Sequence, residues 1–170
     1  MQTSLDHLPE HKQQQLREIT AVIVKAVNPE KVILFGSHAM GRWVQERDAE
    51  NGHLYEYVSD YDILLITKQG DRRKDYEAHD IIENRCVYKT PVNMIAHDID
   101  FVNRRLGEEQ YFFSDIDKEG RVLYDAGNIP LAERRILSSA EIKAIAQADY
   151  DKRKNIPART NMIPMYGMRR

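Results

Sequence analysis

Apolar residues recur at intervals of three and four between about Pro9 and Val27, with Leu16, Ile19, Ile23 and Val27 on one stripe. That period predicts an amphipathic helix. Asn28-Pro29 ends it, because proline disfavours helical geometry in the residue before it. The pattern then changes. "KVILFGS", residues 31–37, is a short, nearly continuous apolar run of the kind expected for a strand buried on both faces, with a helix expected to start just after it. "QERDAENGHLYEY" is charged and turn-rich around Asn51-Gly52, which predicts a loop or a small hairpin projecting from the core. "SDYDILLIT" is a second strand, apolar from Ile63 to Ile66, with Asp60 and Asp62 at its opening.

A helical stretch through about Cys86 follows, in which Tyr76, His79 and Ile82 share a face, and then a third strand, "TPVNMIAH". Asp98 is placed to cap the next helix, whose apolar positions are Ile99, Val102 and Leu106. "EQYFFSDIDKEGRVLYD" reads as a short helix, a turn at Gly120 and a last strand. Ser138 and Glu141 have the spacing of a capping box, so a helix from about Ser139 to Asp151 is expected. From Lys152 the chain changes character: residues 151–170 hold six basic residues against one acidic, and two prolines, with no apolar stripe. This reads as a tail without a fixed fold. The expected organisation is therefore a core domain over residues 1–137, a connector helix over 138–151 and a basic tail over 152–170. The alternation of helix and strand predicts an α/β or α+β fold, a mixed sheet backed by helices.

At 170 residues and 42% hydrophobic content the chain is long enough for one domain with a proper core, and too short for a second large one. With 25 Lys+Arg against 27 Asp+Glu, the formal charge of −2 supplies no overall field for nucleic acid or an anionic membrane, so any polyanion must be met locally. The one cysteine, Cys86, excludes an intramolecular disulfide framework and a cysteine-based zinc cluster. No apolar h-region opens the chain, and no run approaches the ~18 apolar residues of a membrane span. The expected compartment is the cytoplasm.

Two features at the ends of apolar strands carry chemistry. Glycine at position 36 lets a phosphate approach the backbone, and a helix beginning there would aim free N–H groups at it, with the hydroxyl of Ser37 as a further donor. Asp60 and Asp62 are two residues apart in an extended segment, so both carboxylates project from one face, within reach of a single hard cation. Each feature alone has a plainer explanation, a turn or an acidic loop. Together they suggest phosphoryl or nucleotidyl transfer with Mg²⁺ between the carboxylates and a triphosphate. His38 adjoins the phosphate loop, where it could contact a nucleotide or lie exposed at a helix start. Trp43, Tyr55 and Tyr57 could stack on a base, ordinary packing being the alternative for Trp43.

"FGSHAMG…SDYDILLI" resembles the Gly-Ser and D-x-D signature of the minimal nucleotidyltransferases, a branch of the polymerase-β-like superfamily, over roughly Lys31 to Asp125. The resemblance implies transfer of a nucleoside monophosphate, AMP from ATP in the first instance, to a hydroxyl acceptor. Gly36 and Ser37 would hold the triphosphate, with Arg42 substituting for an arginine that the family often has where Met40 stands. Asp60 and Asp62 would be catalytic and hold Mg²⁺. The third carboxylate of the superfamily falls at Asn93, a metal ligand through its oxygen but no proton acceptor. The resemblance also implies a helical HEPN-type protein partner in a toxin–antitoxin pair, with oligomers possible; the acceptor is a protein, a small molecule or RNA. "SSAEIKAIAQADYDKRK" resembles the connector into such a domain, so the partner is expected either as a separate chain or as a part lost by truncation or frame shift. The rival expectation is a catalytically weak or inactive nucleotide-binding or protein-interaction module of the same fold.

Overall fold

The computed structural model describes residues 1–50, 53–71, 80, 90–108, 110–133 and 138–154. The helix expected around Tyr76 to Cys86 and the tail from Asn155 lie outside the described residues. The chain divides into two units, Met1–Arg135 and Ile136–Arg170.

In the first unit the apolar stripe becomes helix α1, Glu10–Val27, which ends at Asn28 in the left-handed conformation, its N–H donating to the Val24 carbonyl. Strand β1, Lys31–Phe35, runs straight into α2, Gly36–Ala39. The charged segment is a hairpin of β2, Gln45–Glu50, and β3, His53–Val58, forming its own two-stranded sheet. Strand β4 is Tyr61–Thr67 and β5 is Val92–Asp98. Helices α3, Ile99–Gly107, and α4, Tyr111–Glu119, lead to β6, Arg121–Asp125.

The main sheet has the order β5-β4-β1-β6. β1 is antiparallel to both β4 and β6, whereas β4 and β5 are parallel, so the sheet is mixed. Alternation along β1 and β4 sends Val32, Leu34, Ile63 and Leu65 to one face, where they meet Leu16, Ile19, Ile23 and Val27 of α1. Ile33, Leu64 and Ile66 point the other way, against Ile99, Val102 and Leu106 of α3 and Phe113 and Ile116 of α4. Helices cover both faces, which is why β1 and β4 read as continuous apolar runs rather than alternating ones. The α+β architecture expected from the sequence is the one observed. No helix among the described residues is long and apolar enough to cross a membrane.

The second unit contains α5, Ser139–Lys154. The Ser138 hydroxyl and N–H both donate to the Glu141 carboxylate, and the Glu141 N–H donates back to the Ser138 oxygen. The helix continues three residues past its expected end, so Lys152–Lys154 are helical rather than tail. Lysine and arginine are good helix formers and suit the negative end of the helix dipole.

Candidate active site

Register places the chemistry-bearing residues side by side at one end of the sheet. Phe35, the residue before Gly36, pairs with Asp62 across the β1–β4 ladder. Asp62 in turn pairs with Asn93 across β4–β5. Gly36 has φ +71°, and a Cβ at that position would collide with the Asp62 carboxylate. The Gly-Ser turn therefore lies directly against the second aspartate, an approach that only a residue without a side chain permits.

The helix that follows Gly36 is shorter than expected. It is a single turn of four residues, closed by the Met40 N–H on the Gly36 carbonyl and followed by the Arg42 N–H on the Ser37 carbonyl. One turn still leaves its first N–H groups without intrahelical partners. The dipole of so short a helix is small, so the local donors, not a macrodipole, are what the turn offers an anion.

Asp60 is exposed and Asp62 half-buried. Burial raises the Asp62 pKa and the neighbouring Asp60 charge pushes the same way, opposed by the hydrogen bond from Asn93. Asn93 Nδ2 donates to Asp62 Oδ1 at 3.0 Å. The amide thus ties itself to the carboxylate. Among the described residues there is no group of three or more His, Cys, Asp and Glu able to hold a metal. Asp60 and Asp62 are the residues that would hold a hard cation such as Mg²⁺, which is often bound by one or two protein carboxylates and completes its shell with substrate phosphates and water.

His38 is fully buried rather than exposed at a helix start. Its Nδ1 donates to the Asp60 carbonyl at 2.8 Å, so a side chain of the Gly-Ser turn holds the backbone that opens D-x-D. The ring stacks on Trp43, with centroids 5.7 Å apart and planes 5° apart, and packs at 4.5 Å against Tyr61. Its carbonyl accepts from His7 Nε2 at 2.8 Å. Its own Nε2 is buried with no hydrogen-bond partner among the described residues. Burial brings the His38 pKa down to about 4, with the nearby Lys12 charge in the same direction and the bond to Asp60 opposing.

Lys12 is itself only 1% exposed. Its ammonium lies 4.5 Å from the centroid of a Trp43 ring and 5.4 Å from that of Tyr61, a cation–π arrangement, and burial lowers its pKa. Tyr61 donates its hydroxyl to Gln15 Oε1 at 2.7 Å and its pKa is pushed up to about 12 by burial. Trp43 is therefore engaged in packing, and Tyr57 is exposed. This buried polar layer was missed in the sequence, although one signal was available: Lys12 falls four residues before Leu16, on the buried stripe of α1.

Arg42 is exposed and lines a cavity of about 190 Å³ with Lys118 and Arg121, whose wall includes neither Gly36 nor the two aspartates. Arg121 Nε donates to the Ala39 carbonyl at 3.2 Å, fixing one wall of that cavity. A separate cavity of about 580 Å³ lies between α1 and β6, lined by Leu16, Thr20, Val24, Leu123 and Tyr124, with neither aspartate nor Gly36 in its wall.

No family model matches this chain, and neither does any curated protein. Among solved structures the chain resembles a protein from Sulfolobus solfataricus whose assignment as a nucleotidyltransferase is itself provisional, at 18% identity and a TM-score of 0.39, over 73% of this chain and 86% of that one. Superposition at that level assigns neither family nor function, which therefore rest on the residues of the site itself.

Proposed function

We propose that this chain is a Mg²⁺-dependent nucleotidyltransferase of the polymerase-β-like fold, moving a nucleoside monophosphate from an NTP, AMP from ATP in the first instance, to a hydroxyl acceptor. The observation that carries the reading is the packing of Gly36 against Asp62, which brings the Gly-Ser turn against the second carboxylate of D-x-D. Gly36 and Ser37 bind the triphosphate through backbone N–H groups and the serine hydroxyl, and Arg42 adds charge from the far end of the turn. Asp60 and Asp62 would hold the metal, with the Asn93 amide oxygen as a further donor. The metal, when bound, neutralises charge on the phosphates and so favours displacement at the α-phosphorus. In that displacement the acceptor oxygen forms a bond to the α-phosphorus, pyrophosphate leaves with the bridging oxygen, and the acceptor proton passes to Asp60 or to solvent. Asn93 cannot take it.

The acceptor we favour is a tyrosine or serine hydroxyl of a HEPN-type helical partner, making this chain the antitoxin of a cytoplasmic pair. That choice is supported only by the resemblance of the signature and of the segment from Ser138. A second reading is favoured by the Asn93–Asp62 hydrogen bond, which occupies one carboxylate oxygen and puts an amide rather than an acid beside it. It is a nucleotide-binding or protein-interaction module of the same fold with little or no catalysis.

One experiment separates the two. Label from α-phosphate-labelled NTPs is followed in host-cell lysate, with and without Mg²⁺, for the wild type, Asp60→Ala and Asn93→Asp. The transferase reading expects label on an acceptor only with Mg²⁺ and an intact Asp60. Restoring a carboxylate at position 93 should raise the rate, since a positioned general base contributes ~10²–10⁴-fold. Transfer that survives in Asp60→Ala overturns the assignment. An idle wild type beside an active Asn93→Asp protein establishes the second reading.

A further inference from the structure

The face of the sheet that carries Asp62 also carries an aromatic edge that the fold leaves in solvent. Leu64 and Ile66, two and four residues after Asp62, pack beneath α3 and α4, so Asp62 belongs to that face. Phe35 is directly opposite Asp62 and packs against the same apolar cluster, two residues on from Ile33. The ring of Phe112 meets Phe35 edge-on, with centroids 5.5 Å apart and planes at 85°. Phe112 also meets Phe113 edge-on at 5.1 Å. Phe113 is buried, but Phe112 is 42% exposed and Tyr111 beside it 76% exposed. The Phe112 ring is thus held between two rings perpendicular to it while part of its surface faces water. Phe35 thus stands between Phe112 and Asp62, in ring contact with the one and paired across the ladder with the other. Among the aromatics that the sequence nominated for stacking, Trp43 is committed to His38 and Lys12.

We propose that Phe112, held by the perpendicular rings of Phe35 and Phe113, is the stacking platform for the nucleobase of the nucleotide whose phosphates lie at Gly36-Ser37 and Asp60-Asp62. The inference rests on the nucleotidyltransferase reading and adds the site of its base. A planar π-face suits the shelf because an aromatic ring offers stacking without reading base edges. Discrimination between bases by this contact alone is therefore weak, and adenine and guanine nucleotides bind alike to the shelf.

Titration calorimetry with ATP and with inorganic triphosphate, both in Mg²⁺, tests this in the wild type, Phe112→Ala and Phe112→Tyr. The wild type should bind ATP more tightly than triphosphate. Phe112→Ala should weaken ATP by about 10-fold, the scale of one lost stacking contact, and leave triphosphate unchanged. Phe112→Tyr, which keeps the ring, should bind both as the wild type does. Wild type that binds both ligands alike, or Phe112→Ala with unchanged ATP affinity, overturns the shelf and leaves the phosphate site standing. Wild type that binds neither overturns the transferase reading, and the shelf with it.

Discussion

Gly36 and Gly70 have nearly the same backbone, φ +71° and +72°, in different surroundings. A Cβ on Gly70 would meet nothing within 4 Å, whereas one on Gly36 would strike Asp62. An alanine at either position bears the left-handed penalty of about 1–2 kcal/mol. At Gly36 it must also displace the carboxylate. Gly36→Ala is therefore expected to lose more stability than Gly70→Ala and, unlike it, to weaken Mg²⁺-dependent ATP binding by 10-fold or more, on the order of 1.4 kcal/mol. Thermal melts and calorimetry on the two variants together measure this; equal affinity losses would mean that the Gly36–Asp62 contact does not matter to the site. Gly-Ser and D-x-D were legible as residues. The contact between them was not, because the β2–β3 hairpin separates them along the chain.

At the scale of elements, the boundary between β5 and α3 decides which acid can serve the site. β5 runs to Asp98, whose side chain accepts the Phe101 N–H at 2.8 Å and so caps α3. Asp100 lies exposed in the first turn of that helix. Neither reaches the end of the sheet where Asp62 pairs with Asn93. Asp98→Ala should cost about 1 kcal/mol, the usual loss for an N-cap, in denaturant unfolding. Its metal-dependent nucleotide affinity should match the wild type; a variant that keeps its stability but loses that affinity would put Asp98, not Asn93, at the third position. The cap was legible from the polar residue before an apolar stripe. The brevity of α2 was not, since Gly41 and the chain's turn toward the hairpin end it after one turn.

For the whole molecule, the main sheet is covered on both faces by helices, and a buried polar layer inside that cover ties α1 to the site. Lys12 sits over Trp43, Trp43 on His38, and His38 on the Asp60 carbonyl. The fold keeps His38 neutral, its pKa lowered from 6.5 to about 4 by burial. In the unfolded chain the same ring takes up its proton near pH 6.5, so below that pH the unfolded state binds more protons and stability falls. The contribution is complete above about pH 6.5 and lost progressively down to about pH 4, a loss on the order of 3 kcal/mol at the full shift. Urea unfolding at pH 7.5, 6 and 5 should show this decline, and His38→Asn, which can still donate to the Asp60 carbonyl, should flatten it. A decline of the same steepness in His38→Asn would assign it to other groups.

What the sequence determined by itself was whatever depends on neighbours along the chain. The 3.6-residue stripe made α1, the continuous apolar runs made β1 and β4, and polar residues three before a backbone donor made the caps of α3 and α5. The residue types of the candidate site belong to the same class, because their chemistry is intrinsic to them. Only the tertiary structure decided strand order, the seating of Gly36 on Asp62, the hydrogen bond between Asn93 and Asp62, and the burial of His38 and Lys12. Those follow from which strands pair and in what register, a choice made by packing two apolar faces at once, over separations along the chain at which local pattern carries no information.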